Sequence, residues 1–205
     1  MVRGFRRIAV QSLSFWVFSL LFIGCVGIDD LSREEYRKGI LTTQSLANET
    51  FSVLPMTATG ERREYLQTAE AIFFKALKEM RQSAPLISPE ENIAKMKEEN
   101  LYPRFVSLQK ETSFKEAPEE KNLSQFKKAL GSRYVLQTEL QRVEMADGAT
   151  QIRIEARLWD TEIGDIIWQG AGESRGYLFL FFPGAPASFE KAMEVASRGL
   201  IRKLP

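Results

Sequence analysis

Apolar positions change period several times along the chain, and each change marks an element. From Glu61 to Arg81 they recur at Tyr65, Leu66, Ala69, Ile72, Phe73, Ala76, Leu77 and Met80, the three-four spacing of a helix that buries one stripe. Thr50 to Met56 reads as a short strand stopped near Pro55, because proline has no N–H for a ladder, and a turn follows at Thr57 to Gly60. Leu86 and Ile87 form a minimal strand. Ser88-Pro89-Glu90-Glu91 then supplies an N-cap, a proline at the first helical position and a capping-box glutamate, starting a helix that should run to about Asn100. Residues 102 to 117 keep no period and, with Pro103 and Pro118, read as a surface connection. A third helix bearing Leu123, Phe126 and Leu130 should end at Gly131, which accepts the left-handed conformation.

The period then shortens to two. A strand over Arg133 to Met145 leads to Asp147-Gly148, a hairpin turn signal. The next strand alternates cleanly, with Ile152, Ile154, Ala156 and Leu158 on one face and Arg153, Glu155, Arg157 and Trp159 on the other. After a turn at Thr161 to Gly164, Asp165 to Ser174 gives a third strand, with Ile166 and Trp168 expected on one side. Alternation stops at Tyr177, Leu178, Phe179, Leu180, Phe181 and Phe182, six apolar residues that form either a buried strand or a surface for a partner or membrane. A last helix spans Ser188 to about Lys203. The expected fold class is α/β (α+β): a two-layer sandwich with a mixed sheet ending in a three-strand antiparallel meander and helices packed on one face.

Composition narrows the chemistry. The 205 residues are 44% hydrophobic and 27% charged, with a net charge of +1, which fits one globular domain. The chain has no histidine and one cysteine. It therefore lacks the usual proton-transfer group at neutral pH, the commonest zinc ligand and any internal disulfide, and no cofactor or metal is expected. A Ser-His-Asp or Cys-His site is excluded, and there is no glycine-rich phosphate loop. Glu139, Glu155 and Asp160 are the carboxylates best placed for glycoside hydrolysis. Because Glu155 alternates with Arg153 and Arg157, a solvated or cross-strand-paired face is the stronger reading.

Residues 1–8 carry Arg3, Arg6 and Arg7 and no acid, and Ile8 to Gly24 is an apolar run broken by Gln11, Ser12, Ser14 and Ser19. This is the layout of a secretory signal, with an uncleaved membrane span as the alternative. The run ends in Leu21-Phe22-Ile23-Gly24-Cys25, which resembles a bacterial lipobox, departing from it at Phe22, where leucine is usual. The resemblance implies cleavage before Cys25 and acylation of that residue; a buried structural cysteine is the rival reading. Two or three acyl chains make a durable anchor where one does not. With residues 1–24 removed as a signal peptide, 25 basic residues face 27 acidic ones, so nucleic acid is not an expected partner. In enterobacterial lipoproteins an aspartate after the cysteine retains the protein at the inner membrane. Val26 stands there, which favours the outer membrane, periplasmic face. Residues 25–46 are assigned to a polar tether of roughly 25 Å in which Ser32 to Glu35 caps a helical turn, and residues 47–205 to a single α/β domain.

Ser52-Val-Leu-Pro55, Leu130-Gly-Ser-Arg-Tyr-Val135 and Ala156-Arg-Leu-Trp-Asp-Thr-Glu-Ile-Gly-Asp-Ile-Ile-Trp168, in the element order above, resemble the periplasmic domain of the CsgG curli-secretion lipoproteins and the amino-terminal domain of TolB. The resemblance implies a non-enzymatic assembly, secretion or accessory role through contacts with other envelope proteins or with further copies of the chain. An envelope hydrolase acting on glycan or peptidoglycan is the alternative. A CsgG-like pore is not expected, because Phe105 to Leu108 is too short for a barrel strand and Tyr177 to Phe182 does not alternate.

Overall fold

The computed structural model describes residues 30–39, 46, 49–111, 129–178 and 185–205. Its strands are β1 (Arg33–Arg37), β2 (Phe51–Val53), β3 (Thr57–Ala58), β4 (Leu86–Ile87), β5 (Tyr134–Ala146), β6 (Ala149–Asp160), β7 (Asp165–Ser174), β8 (Tyr177–Leu178) and β9 (Ala185–Pro186). The described helices include a 3-10 turn (Gly60–Tyr65), α1 (Leu66–Met80), α2 (Pro89–Glu98), α3 (Tyr102–Glu111) and α4 (Phe189–Lys203).

The main sheet runs β1-β7-β6-β5-β2-β4, and β3 also pairs with β5. It is mixed: β5, β6 and β7 form the antiparallel meander, whereas β2, β3 and β4 join by parallel pairing. This is the expected α/β sandwich. β2 ends at Val53, and pairing with β5 resumes at Thr57 beyond Pro55. Across this break the N–H of Met56 donates to the Glu70 carboxylate at 2.5 Å.

Ile152, Ile154, Ala156 and Leu158 are each no more than 1% exposed, and with Leu136 and Leu140 they meet the stripes of α1 and α4. Every apolar position of the predicted stripe from Tyr65 to Met80 packs in this core. Ser88 and Glu91 make the reciprocal capping box that opens α2, with Pro89 in the first turn. Asp147 and Gly148 both take positive φ, 51° and 78°, as a tight hairpin requires. Gly131 has φ +65° directly after the helical residues Ala129 and Leu130, while Leu123 and Phe126 lie outside the described residues.

The turn expected at Thr57 to Gly60 starts only after Ala58, because Thr57 and Ala58 pair with β5 as β3; four further expectations differ from the structure. Ser32 to Glu35 cap no helical turn, because β1 is an edge strand pairing antiparallel with β7, bulged between Glu34 and Tyr36. This strand lies inside the stretch 25–46, so the sheet begins earlier in the chain than the tether assignment allows. Second, residues 102–111 are helix rather than surface connection; Tyr102 and Phe105, one turn apart, pack onto Met96 and Trp159. Third, α2 and α3 lie on the reverse face of the sheet, over Val135, Trp159 and Ile166, so helices are not confined to one face. Last, Ile166 and Trp168 point to opposite faces. The register shifts so that Leu158 faces Trp168 while Trp159 faces Ile166, and the extra residue, Ile167, joins Trp168 in the main core. A bulge inserts one residue and so exchanges the faces of the positions on either side of it.

Candidate functional site

The reverse face of the sheet is apolar only under α2 and α3. Moving along β6 from Trp159, the outward positions are Arg157, Glu155 and Arg153; on β5 they are Gln137, Glu139 and Arg142, and on β7 Gln169, Ala171 and Glu173. Arg153 is the hub of this polar area. It meets Glu155 at 2.8 Å, Glu35 at 3.0 Å and Glu173 at 3.4 Å, while Arg33 closes onto Glu35 at 3.1 Å and onto Glu173 at 3.4 Å. Burial alone would lower the Arg153 pKa, but hydrogen bonding to Glu155 and the charge of Glu35 more than reverse it. Isolated surface pairs contribute little. This network is different because Arg153 and Glu155 are mostly buried side chains, and it ties the edge strand β1 to β6 and β7.

The structure brings two of the three candidate carboxylates together. Glu139 and Glu155 stand directly opposite on β5 and β6. Burial, with the Glu155 charge facing it, pushes the Glu139 carboxyl above its ordinary range. Arg157 beside them is 4% exposed; burial lowers its pKa against the opposing pull of Glu155 and Glu139. Asp160 is elsewhere. It lies five positions beyond Glu155, roughly 17 Å along the strand, and points to the other face because side chains alternate.

Asp160 is committed to structure. Its carboxylate accepts from Arg133 Nε at 3.0 Å and Nη2 at 2.7 Å and from the Glu162 N–H at 2.9 Å. Burial works against its ionisation, but these donors outweigh it and hold its pKa below the usual carboxylate range. Arg133 also pairs with Glu162 at 2.8 Å, and the two line a shallow depression of about 310 Å³ with Gly131 and Ser132. That depression is at the Asp160 end of the sheet, away from Glu139 and Glu155. Among the described residues no group of three possible ligands is gathered for a metal ion.

Of the apolar run, Tyr177 and Leu178 form β8, paired with β9 through Tyr177–Pro186 and Leu178–Ala185. Tyr177 is half-buried, and its hydroxyl donates to the carbonyl of Asp147 at 3.3 Å, joining β8 to the β5–β6 hairpin tip. Phe179, Leu180, Phe181 and Phe182 lie outside the described residues, as does Cys25. Sequence reasoning finds Arg153 and Glu155 as an alternating charged face but misses Glu35 and Arg33, whose register on β7 is set by pairing rather than by local pattern. Among the described residues no helix is long and apolar enough to cross a membrane.

No protein-family model matches the chain, and no curated protein does. Among solved structures it is similar to a variant of PelC from Paraburkholderia phytofirmans, solved as a dodecamer. The two share 12% identity at a TM-score of 0.50, over 84% of this chain and 97% of that one. Looser likenesses are to the lipoprotein GNA1162 from Neisseria meningitidis (13% identity, TM-score 0.42, 61% of this chain and 81% of that one) and to the C-terminal domain of LpoB from Salmonella enterica (17%, 0.41, 65% and 91%). The likeness to PelC is one of fold.

Proposed function

We propose that the chain is a lipid-anchored protein of the bacterial cell envelope, held by Cys25 at the periplasmic face of the outer membrane, that acts as a non-enzymatic assembly, secretion or accessory component through protein contacts. The observation that carries the reading is the shared fold with PelC over nearly the whole of that chain, in a protein that assembles from many copies. The Leu21–Cys25 motif after an arginine-led apolar run supports the anchor. The CsgG-like and TolB-like resemblance belongs to this reading at the level of domain architecture, without a pore. The run Tyr177 to Phe182 is its proposed partner or self-association surface, since aromatic side chains bury large areas at modest entropic cost.

An envelope hydrolase has one observation in its favour, the raised carboxyl of Glu139 opposite Glu155. Against it, Glu155 is bonded to Arg153 and Asp160 faces away. The test of the anchor is incorporation of labelled fatty acid into the full-length protein. The parent is expected to take up label and Cys25→Ala to take up none; equal uptake by the variant would end the lipoprotein reading. Crosslinking in the native envelope should yield oligomers or hetero-adducts, and a chain recovered only as an uncrosslinked monomer would remove the assembly role.

A further inference from the structure

The first described residue, Asp30, enters the fold at a defined place. It bridges Ser174 in antiparallel fashion, the N–H of Leu31 donates to the Glu173 carbonyl at 3.1 Å, and the Asp30 carboxylate accepts from the Ser32 N–H at 3.0 Å and pairs with Arg202 on α4. Ser174 faces Ile152, and Ile152 faces Val143, so Asp30, Ser174, Ile152 and Val143 form one rung across four strands. β1 is antiparallel to β7, and β7 runs in the same direction as β5. At Asp30 the amino side of the backbone is therefore directed to the end of the sheet at which β5 reaches its hairpin tip.

That tip is built to be exposed. Met145 is 77% exposed, the most exposed large hydrophobic residue described, and its sulfur accepts a hydrogen bond from Thr150 Oγ1 at 3.4 Å. Glu144, Asp147 and Gly148 beside it are also exposed. Tyr177, at the head of the apolar run, is bonded to this same tip.

We propose that the β5–β6 hairpin tip, with Met145 at its corner, rests in the headgroup layer of the membrane that holds Cys25. The proposal rests on the acylation of Cys25. Five residue steps separate Cys25 from Asp30, and a fully extended chain spans at most ~3.6 Å per residue, so the anchor lies no more than about 18 Å beyond the rung. Four steps from Val143 to Asp147 carry the tip roughly 13 Å beyond the same rung. With the strands upright, the shortfall of about 5 Å at full stretch is within the ~5–8 Å thickness of one headgroup layer. A less extended link brings the tip deeper. Methionine is a flexible apolar side chain that adapts to irregular surroundings, and the acids Glu144 and Asp147 hold the tip at headgroup level, since hydrocarbon would strip them of water.

The experiment places an environment-sensitive fluorophore on Met145→Cys in the full-length mature protein, where Cys25 carries no free thiol. A second reporter at Glu144→Cys serves if the first variant fails to fold. A third at Ile163→Cys, in the turn at the opposite end of the sheet, is the control. The protein is reconstituted into vesicles of phosphatidylethanolamine and phosphatidylglycerol containing headgroup-spin-labelled lipid, and its intact mass is measured for the acyl chains. Strong loss of emission at 145 and 144, with none at 163, is the expected result. Quenching at 145 and 144 no greater than at 163, in protein that carries the acyl mass, overturns the orientation alone. Absence of the acyl mass removes the anchor and, with it, the origin from which the reach is reckoned.

Discussion

Glu139 faces Glu155 across the β5–β6 ladder, and its pKa is raised by burial and by that neighbouring charge. A raised carboxyl favours the folded state when protonated. Its contribution is therefore present below the ordinary carboxylate value and is lost as pH rises through the folded-state value. At neutral pH the ionised Glu139 costs stability, and Glu139→Gln should raise the urea midpoint near pH 7 while changing it little near pH 4, around the unperturbed glutamate value of about 4.3. A lower midpoint at neutral pH would mean that its carboxylate is bound favourably. Trp159 shows a different limit of residue-level reading. Alternation puts it among charged residues, yet it is 2% exposed, because α2 and α3 cover that end of the face and Gln137 accepts from its indole N–H at 3.2 Å.

Helix α4 lies on the meander because β7 presents glycine where the two meet. A Cβ on Gly172 would overlap the carbonyl of Ala196 and come within 2.8 Å of Leu200 Cβ, so backbone contacts backbone there. Gly172→Ala should cost about 1–3 kcal/mol, the usual range for overpacking a filled core. That corresponds to a fall in melting temperature of several degrees at roughly 2–4 °C per kcal/mol. A melting temperature unchanged from the parent would place α4 further from the sheet than described. The helix is legible from its own stripe and from Ser188, which caps it by accepting from the Lys191 N–H at 3.3 Å. Its seat on Gly172 is not, since nothing local distinguishes a glycine that admits a helix from one that relaxes a strand.

At the scale of the molecule, a membrane-facing hairpin tip turns the other pole outward. The Arg133–Asp160–Glu162 cluster and its depression lie at the end of the sheet opposite that tip, and under the proposed orientation they face away from the membrane. The apolar run begins at the hairpin-tip end of the sheet, where Tyr177 bonds to Asp147. If it is a contact surface, Phe179→Ser/Phe181→Ser should reduce self-association of the full-length protein, measured by sedimentation after mild detergent extraction, without moving its melting temperature. A large fall in melting temperature would make the run part of the core, and a change in neither would remove it from both roles.

Elements whose cause lies within a few residues are readable from the sequence alone: the stripe of α1, the capping box at Ser88, the Asp147-Gly148 turn, and the alternation from Ile152 to Leu158. In each, the deciding interaction joins near neighbours, so periodicity and turn chemistry contain it. Other features depend on partners far away in the chain. Arg33–Arg37 is a strand because β7 offers it a ladder, and Arg33 meets Glu173 across 140 positions. Tyr102 and Phe105 hold a helix because Trp159 and Met96 offer them a surface. Ile166 and Trp168 part because a bulge inserts one residue against β6. The charged face follows the same division. Local alternation predicts that Arg153 and Glu155 share it, but only the closing of β1 onto β7 brings Glu35 to Arg153 and makes the pair a network, because an edge strand has no register until it has a partner.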